Sequence, residues 1–194
     1  MKKRCWYAKQ ESRDSEKRRF NITLTDISGM DDLAFTVKKI PGKIVMGVQR
    51  RTSNADGRSV KDIPACWQDF FSLNMASKIP DRARTPAMFA VYSDYERDWT
   101  GEYSYLIGSE VTRADRIPDG LAVVRIPAQT YAVFTAAGHM PDAVLGIWAS
   151  VWGTKLPRAY TFDFELYDAR FTRPDKKEAE VYIAIDDAQL QGMQ

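Results

Sequence analysis

Two segments of the chain, 86 residues apart, share one short motif. Residues 37–43 and 123–129 both read V-x-K/R-I-P, followed by a small and a polar residue. Each continues into an apolar run typical of a β-strand, at residues 44–48 and 131–135, and then into a tryptophan-containing segment with helical periodicity. Because a matching order of elements at a fixed distance indicates internal duplication, the chain is predicted to contain two copies of one folding unit.

The two predicted helices have the same features. In the first, Asp62 suits the N-cap position and Pro64 lies in the first turn. Its apolar stripe consists of Ile63, Trp67, Phe70 and Phe71. The second helix has Pro141 at its first position and Gly153 at its end. Its apolar stripe consists of Val144, Ile147, Trp148 and Val151.

Two further strands are predicted after each helix. They cover residues 88–94, 103–111, 160–167 and 180–185. A turn that contains Pro118 and Gly120 separates the two halves of the chain. The chain therefore reads β-α-β-β twice.

This order of elements predicts an α+β fold made of duplicated β-α-β-β units. The two halves, about residues 35–116 and 120–186, are expected to share one mostly antiparallel sheet with both helices on one face. A ligand cleft is expected at the pseudo-twofold junction, on the sheet face opposite the helices. The predicted domain organisation is a basic, flexible N-terminal extension over residues 1–34 and a single domain over residues 35–194.

The positive charge of the chain is concentrated at its N-terminus. Residues 1–20 hold eight basic and three acidic residues, whereas the remainder holds 20 basic and 23 acidic residues. A slightly acidic body is not typical of a nucleic-acid-binding surface, because such surfaces are basic. No direct nucleic-acid partner is therefore expected.

Composition argues against several other classes. No apolar run approaches the roughly 18 residues of a membrane-spanning helix, and no secretory signal is visible, so no membrane partner is expected. The two cysteines, Cys5 and Cys66, are too few for a disulfide scaffold, which favours a reducing, cytoplasmic location. The single histidine, His139, makes a zinc site or a serine-type triad a poor interpretation. No metal or cofactor is expected.

The candidate binding residues lie on the last two predicted strands, where side chains alternate between the two faces. The side chains predicted to face the helices are Tyr160, Phe162, Phe164 and Leu166. If the two strands are antiparallel neighbours, the open face holds two carboxylates and two phenols, from Glu165, Tyr167, Glu180 and Tyr182. The first half offers further aromatic side chains for the same wall, from Tyr92, Trp99, Tyr103 and Tyr105.

Carboxylates among aromatic rings suit an organic cation. The face of an aromatic ring attracts a cation by about 0.5–2 kcal/mol. A partly buried carboxylate favours a ligand that replaces its lost solvation. Flat, hydrophobic, positively charged molecules fit such a site. The same residue types also alternate on ordinary solvent-exposed strands, so the pattern alone leaves both interpretations open.

Several segments of the body form a combination known from one family. They include I-P-A-C-W-Q-D-F-F at 63–71, Y-S-D-Y-E at 92–96, T-G-E-Y-S at 100–104, F-E-L-Y-D at 164–168 and V-Y-I-A-I at 181–185. With these segments the chain resembles the GyrI-like, SHS2-type effector-binding domains, which are also the ligand-sensing part of AraC-type and MerR-type multidrug regulators. It is most similar to the stand-alone integron-associated effector-binding proteins, which bind cationic drugs. The resemblance covers about residues 35–185.

The resemblance implies the same duplicated fold around a central cleft and assigns roles to individual residues. Glu165 matches the cation-binding glutamate of the family. Glu180 and Tyr182 match positions that often line the pocket, and Trp148 matches an aromatic position near it. The expected ligand-binding residues are therefore Glu165, Tyr167, Glu180, Tyr182, Trp148, Tyr92, Tyr103 and Tyr105.

The expected function is binding of small amphipathic, cationic organic molecules in an acidic, aromatic-lined cleft. Only about 34 residues precede the body, too few for the helix-turn-helix domain of the family's regulators, so a free-standing effector-binding or sequestering module is expected. Two alternatives stay open, a hydrolase of electrophilic compounds with Glu165 as general base and an interaction inhibitor of a DNA-handling enzyme. A homodimer or a regulatory protein partner is also compatible with the expected function.

Overall fold

The structure, a computed structural model, describes residues 34–192, and nearly all of the predicted N-terminal extension lies outside this range. The strands are β1 (Thr36–Ile40), β2 (Lys43–Ser53), β3 (Met88–Ser93), β4 (Glu102–Val111), β5 (Ala122–Ile126), β6 (Gln129–Ala137), β7 (Asp163–Tyr167) and β8 (Glu178–Ala184). The helices are α1 (Ser59–Ser72), α2 (Met75–Lys78), α3 (Asp142–Gly153) and α4 (Asp187–Gly192). A 3-10 turn (Ala169–Thr172) lies between β7 and β8.

The strands form one antiparallel sheet in the order β1-β6-β8-β7-β3-β4-β2-β5. Strands β7 and β3 meet at the centre, and apart from the edge strands β1 and β5 one half of the repeat lies on each side. Helix α1 packs on β2 and β4, whereas α3 packs on β6 and β8. The buried residues of both helices belong to one apolar cluster, so the two helices cover the same face. The predicted α+β fold of duplicated β-α-β-β units is confirmed.

The repeated motif forms the two edge strands of the sheet. Strand β1 pairs with β6 of the second half, and β5 pairs with β2 of the first half, so each copy of the motif joins the other copy's side of the sheet. Ile40 pairs with Gln129 and Ile126 pairs with Lys43, and the 86-residue shift relates one pair to the other. The two halves are therefore tied together at both edges as well as at the centre.

Apolar side chains are buried on both faces of the sheet. One cluster lies beneath the helices, and a second lies on the opposite face around Phe164, whose ring stacks on Tyr182 with centroids 4.3 Å apart. Phe162 and Leu166 pack against this second cluster, and Tyr160 precedes β7 with a positive φ of 51°. The prediction that this apolar set faces the helices is wrong for Phe162, Phe164 and Leu166. Because both faces of β7 are buried, apolar character does not mark the helix side.

Helix α3 follows the sequence prediction closely. It begins after Pro141 and ends at Gly153, and its buried residues are Val144, Trp148 and Val151. Helix α1 departs from the prediction at its start.

Helix α1 begins at Ser59, three residues before the predicted cap, so Pro64 lies inside the helix. Asp62 instead accepts a hydrogen bond from the Thr52 hydroxyl of β2 at 2.7 Å. The buried face of α1 includes Cys66, whereas Phe71 is 57% exposed. The helix is therefore rotated relative to the predicted stripe.

Gly146 occupies an exposed position in the middle of α3, and a Cβ built there meets no other part of the molecule within 4 Å. Alanine restricts the unfolded chain more than glycine does and fits a helix. Gly146→Ala is therefore expected to raise the free energy of unfolding by about 0.5–1 kcal/mol. Urea denaturation measures the change, and a less stable variant would contradict the expectation.

Candidate functional site

Glu165 lies on β7 at the centre of the sheet, and its side chain is directed to the helix face. The residue is only 4% exposed. Its Oε1 accepts hydrogen bonds from the Tyr92 hydroxyl at 2.8 Å and from the Trp148 indole nitrogen at 2.6 Å, and Oε2 accepts one from the Tyr167 hydroxyl at 2.5 Å. All three donors are neutral. Within residues 34–192 no basic side chain forms a salt bridge with this carboxylate.

This environment changes the acidity of Glu165. Burial raises the pKa of its carboxyl group above the usual value for glutamate, and the three hydrogen bonds oppose that shift without cancelling it. Hydrogen bonds from neutral groups favour the carboxylate, but they supply no counter-charge. The site therefore holds an acidic group whose negative charge is poorly compensated.

Aromatic rings from both halves of the chain pack around Tyr92. Its ring centroid lies 4.7 Å from that of Trp148, 5.1 Å from that of Tyr105 and 5.8 Å from that of Tyr103. The register explains this convergence, because Tyr92 pairs with Tyr105 on β4 and with Asp163 on β7. Residues paired across antiparallel strands point to the same face.

Helix α1 contributes a second tryptophan to the same cluster. The indole nitrogen of Trp67 donates a hydrogen bond to the Tyr105 hydroxyl at 2.7 Å. Its ring packs edge-on against Tyr167, with centroids 5.3 Å apart. Each of the two long helices thus places one tryptophan against the aromatic residues that surround Glu165.

A buried ion pair lies beside this cluster. The Arg158 side chain is 3% exposed and the Asp163 side chain 0%, and Nη2 of the arginine donates to Oδ2 of the aspartate at 2.7 Å. Asp163 also accepts hydrogen bonds from the Tyr95 hydroxyl and from the backbone N–H of Ala184, both at 2.7 Å. Burial acts to lower the pKa of the guanidinium, but the attraction to Asp163 outweighs it, so the pKa is raised.

A cavity of about 60 Å³ lies between α1, α3 and the central strands. Tyr92 and Tyr103 form its sheet side, and Trp148 and Arg158 also line it. At its outer side Trp99 and Trp152 stack with centroids 5.4 Å apart and planes inclined by 19°. The expectation of a cleft opposite the helices is wrong. The helices sit on different halves of the sheet, which leaves space between them above the central strands.

The structure brings together six of the eight predicted site residues. They are Glu165, Tyr167, Trp148, Tyr92, Tyr103 and Tyr105. Glu180 and Tyr182 lie on the opposite face, so the predicted common face for all four residues of the last two strands is wrong. In the register of β7 and β8, Phe164 pairs with Tyr182 and Leu166 with Glu180, whereas Glu165 pairs with Val181.

Glu180 also differs from Glu165 in its charge environment. It accepts a hydrogen bond from the Tyr182 hydroxyl at 2.7 Å and forms salt bridges with Arg170 at 2.9 Å and Lys38 at 3.5 Å. Burial acts to raise the pKa of Glu180, but these partners outweigh it and the pKa is lowered. Its negative charge is therefore already compensated.

Sequence reasoning missed Trp152, Arg158 and Tyr95. Trp152 follows Trp148 by four residues, and this spacing places both on one face of a helix, so its position beside Trp148 can be predicted from the sequence. Arg158 and Tyr95 lie outside the helices and strands, where no periodicity indicates which way a side chain points.

Other chemistries find less support in the described residues. Burial raises the pKa of the Cys66 thiol to about 11, and its Sγ donates to the Val48 carbonyl at 3.2 Å, which disfavours thiolate chemistry. Among residues 34–192, no three His, Cys, Asp or Glu side chains are placed to hold a metal ion. In the same range no helix has the length and apolar character to cross a membrane.

Sequence comparison relates the chain to known proteins. A family model described as integron-associated effector binding protein matches residues 36–185. YobU of Bacillus subtilis is 31% identical over 143 residues, which cover 72% of this chain and 89% of YobU. The transcriptional regulator BrlR of Pseudomonas aeruginosa is 34% identical over 91 residues, which cover 44% of this chain and 34% of BrlR.

Solved structures show the same fold. The integron cassette protein VCH_CASS2, from the mobile metagenome of Vibrio cholerae, has a TM-score of 0.63 and 28% identity, over 80% of this chain and all of that protein. SAV2435, solved with bound tetraphenylphosphonium, has a TM-score of 0.68 and 17% identity, over 84% of this chain and all of that protein. The match of the family model to residues 36–185 shows that the chain belongs to the integron-associated effector-binding protein family.

Proposed function

We propose that the protein binds small amphipathic organic cations between α1 and α3, with Glu165 as the charge partner. The supporting observation is a buried carboxylate whose three hydrogen-bond donors are all neutral. A buried charge is costly unless an opposite charge accompanies it. An organic cation supplies that charge, and because it sheds water readily it can also enter an apolar site.

The aromatic residues complete the proposed site. Tyr92, Tyr103, Tyr105 and Tyr167 surround Glu165 together with Trp148. Ring faces attract a cation by about 0.5–2 kcal/mol, and their edges add apolar contact. Glu180 and Tyr182 take no part, since they lie on the other face of the sheet.

The similar proteins support the class of ligand. The matching family is described as effector-binding, and the structure of SAV2435 holds tetraphenylphosphonium, a lipophilic cation. A ligand of that class combines one delocalised positive charge with several aromatic rings. These properties complement a carboxylate among tyrosines and tryptophans.

Binding requires the cavity to widen. Drug-sized ligands occupy pockets of about 300–1,000 Å³, whereas this cavity measures about 60 Å³. The stacked rings of Trp99 and Trp152 lie at its outer side, and Trp152 is 41% exposed. Trp99 belongs to the connection between β3 and β4. The Asn54 side-chain amide donates a hydrogen bond to the Trp99 backbone carbonyl at 3.1 Å. In the proposed mode of binding, the ligand separates these two rings.

Two ions of the same shape and opposite charge test the proposal. Tetraphenylphosphonium is expected to bind at least about 100-fold more tightly than tetraphenylborate, because Glu165 attracts the first and repels the second. Trp99, Trp148 and Trp152 line the cavity, so intrinsic tryptophan fluorescence reports binding. Equal affinity for the two ions, or preference for the borate, would contradict the proposal.

A further inference from the structure

The cavity is lined by a basic side chain that the proposed interaction with Glu165 does not use. Arg158 is 9% exposed and lines the cavity next to Trp148, with its guanidinium carbon 5.9 Å from the ring centroid. Nη2 donates to Asp163, but Nε and Nη1 are buried and meet no acceptor among the described residues. Buried donors without an acceptor are rare in folded proteins, so these two nitrogens need an explanation.

We infer that Arg158 is a second recognition point for the ligand and that it donates to a neutral oxygen acceptor, such as a carbonyl group, on the organic cation. This inference rests on the proposed function, because the cation that pairs with Glu165 must also occupy the cavity that Arg158 lines. The ligand class becomes narrower, since a purely hydrocarbon cation would leave the guanidinium nitrogens unpaired.

The charges around the cavity indicate why the acceptor is neutral. The positive charge of Arg158 is balanced by Asp163, which is itself 0% exposed. Glu165 then contributes the one acidic group without a basic partner in the described part of the site. A cation with a single positive charge balances it. A carboxylate on the same ligand would add an uncompensated negative charge in a buried place, which is unfavourable.

The guanidinium is held in one orientation. It stacks on Tyr160, with its carbon 4.3 Å from the ring centroid, and it is tied to Asp163, which the Ala184 backbone N–H anchors. Trp148 connects the two recognition points, since its indole nitrogen donates to Glu165 while its ring faces Arg158. In the proposed mode of binding, a ligand that widens the cavity and lies against Trp148 contacts both groups.

The test compares two phosphonium salts of nearly identical shape. The two salts are (4-acetylbenzyl)triphenylphosphonium and (4-isopropenylbenzyl)triphenylphosphonium, and the first has a carbonyl oxygen where the second has a methylene group. The corresponding meta isomers place the same groups at a second position of the benzyl ring. At least one acetyl isomer is expected to bind about 10-fold more tightly than its isopropenyl partner, because a hydrogen bond to a charged group strengthens binding by about that factor.

Variants show whether Arg158 causes the preference. In the double variant Arg158→Met with Asp163→Asn, which leaves no cationic donor at this position, the affinity ratio within each pair is expected to fall to about 1. In Arg158→Lys, whose ammonium group does not reproduce the positions of the guanidinium nitrogens, the ratio is also expected to fall. A ratio is insensitive to any general loss of affinity. Glu180→Gln, on the other face of the sheet, is the matched control and keeps the wild-type ratio.

The outcomes separate this inference from the proposed function. If wild-type protein binds tetraphenylphosphonium but neither acetyl isomer is preferred, the role of Arg158 is overturned and the cation site stands. A preference that persists in both Arg158 variants overturns it as well. If wild-type protein binds none of the phosphonium ions, both proposals fail.

Discussion

Glu165→Gln is expected to lower the affinity for tetraphenylphosphonium by about 100-fold, since a charge–charge attraction in a partly desolvated site is lost. The substitution keeps the shape of the side chain. Its carbonyl oxygen can accept from Tyr92 and Trp148, and its amide can donate to the Tyr167 hydroxyl. Titration of intrinsic tryptophan fluorescence measures the loss.

Glu180→Gln provides the matched control. It removes the same charge from the opposite face of the sheet, where Arg170 and Lys38 already compensate it. Its affinity for tetraphenylphosphonium is expected to stay within about twofold of wild type, because a charge that is already paired acts weakly at a distance. An equal loss in both variants would show that net charge, and not contact with Glu165, determines affinity.

Glu165→Gln is also expected to stabilise the ligand-free protein at high pH. The folded-state pKa of Glu165 is raised because burial disfavours its ionised form. Such a group contributes stability that is fully present below the unfolded-state pKa and is lost as the pH rises through the folded-state pKa. Because glutamine avoids this loss, the variant should exceed wild type at about pH 8 by roughly 1–3 kcal/mol in the free energy of unfolding.

The difference is expected to shrink as the pH falls below about 4, toward conditions in which Glu165 is protonated in both the folded and the unfolded state. Urea denaturation at several pH values measures it. A Glu165→Gln variant that is less stable than wild type at about pH 8 would show that the three hydrogen bonds need the carboxylate.

Cation binding should show the reciprocal dependence on pH. The cation favours the ionised carboxylate, so affinity for tetraphenylphosphonium is expected to rise with pH up to the folded-state pKa of Glu165 and to fall by up to about 10-fold per pH unit below it. In Glu165→Gln the affinity should not change with pH over the same interval. The stability that the free protein loses by burying Glu165 is thus recovered when the cation binds.

The fold could be predicted from the sequence because its signals are local and occur twice. The V-x-K/R-I-P motif, the helix of residues 142–153 and the alternating strands each appear in short segments. The exchange of edge strands between the halves could not be predicted, since it depends on pairing between residues far apart, such as Ile40 with Gln129.

The site could be predicted only in part, for two physical reasons. Alternation along β7 correctly groups Glu165 with Tyr167, but it does not say which face lies beneath the helices when both faces are buried. Which residues of β8 join that group depends on the register, and a shift of one residue moves every side chain to the other face. That is why Glu180 was grouped with Glu165 although it lies across the sheet.

Arg158→Met is expected to lower the free energy of unfolding by about 3–5 kcal/mol, because breaking a buried ion pair leaves an uncompensated charge. The remaining charge is that of Asp163, whose side chain is 0% exposed. Asp163→Asn alone is expected to be destabilising for the same reason, since Arg158 then loses its partner. Urea denaturation of both variants measures these losses.

The double variant Arg158→Met with Asp163→Asn should lose less stability than either single variant, since no buried charge remains. Replacing a buried ion pair by neutral residues is often neutral or even stabilising. Losses that simply add in the double variant would show that the two charges do not interact. If the double variant is as stable as wild type, the fold does not need this ion pair. That result would agree with the proposed role of Arg158 in recognising the ligand, which the affinity ratios of the phosphonium pairs test directly.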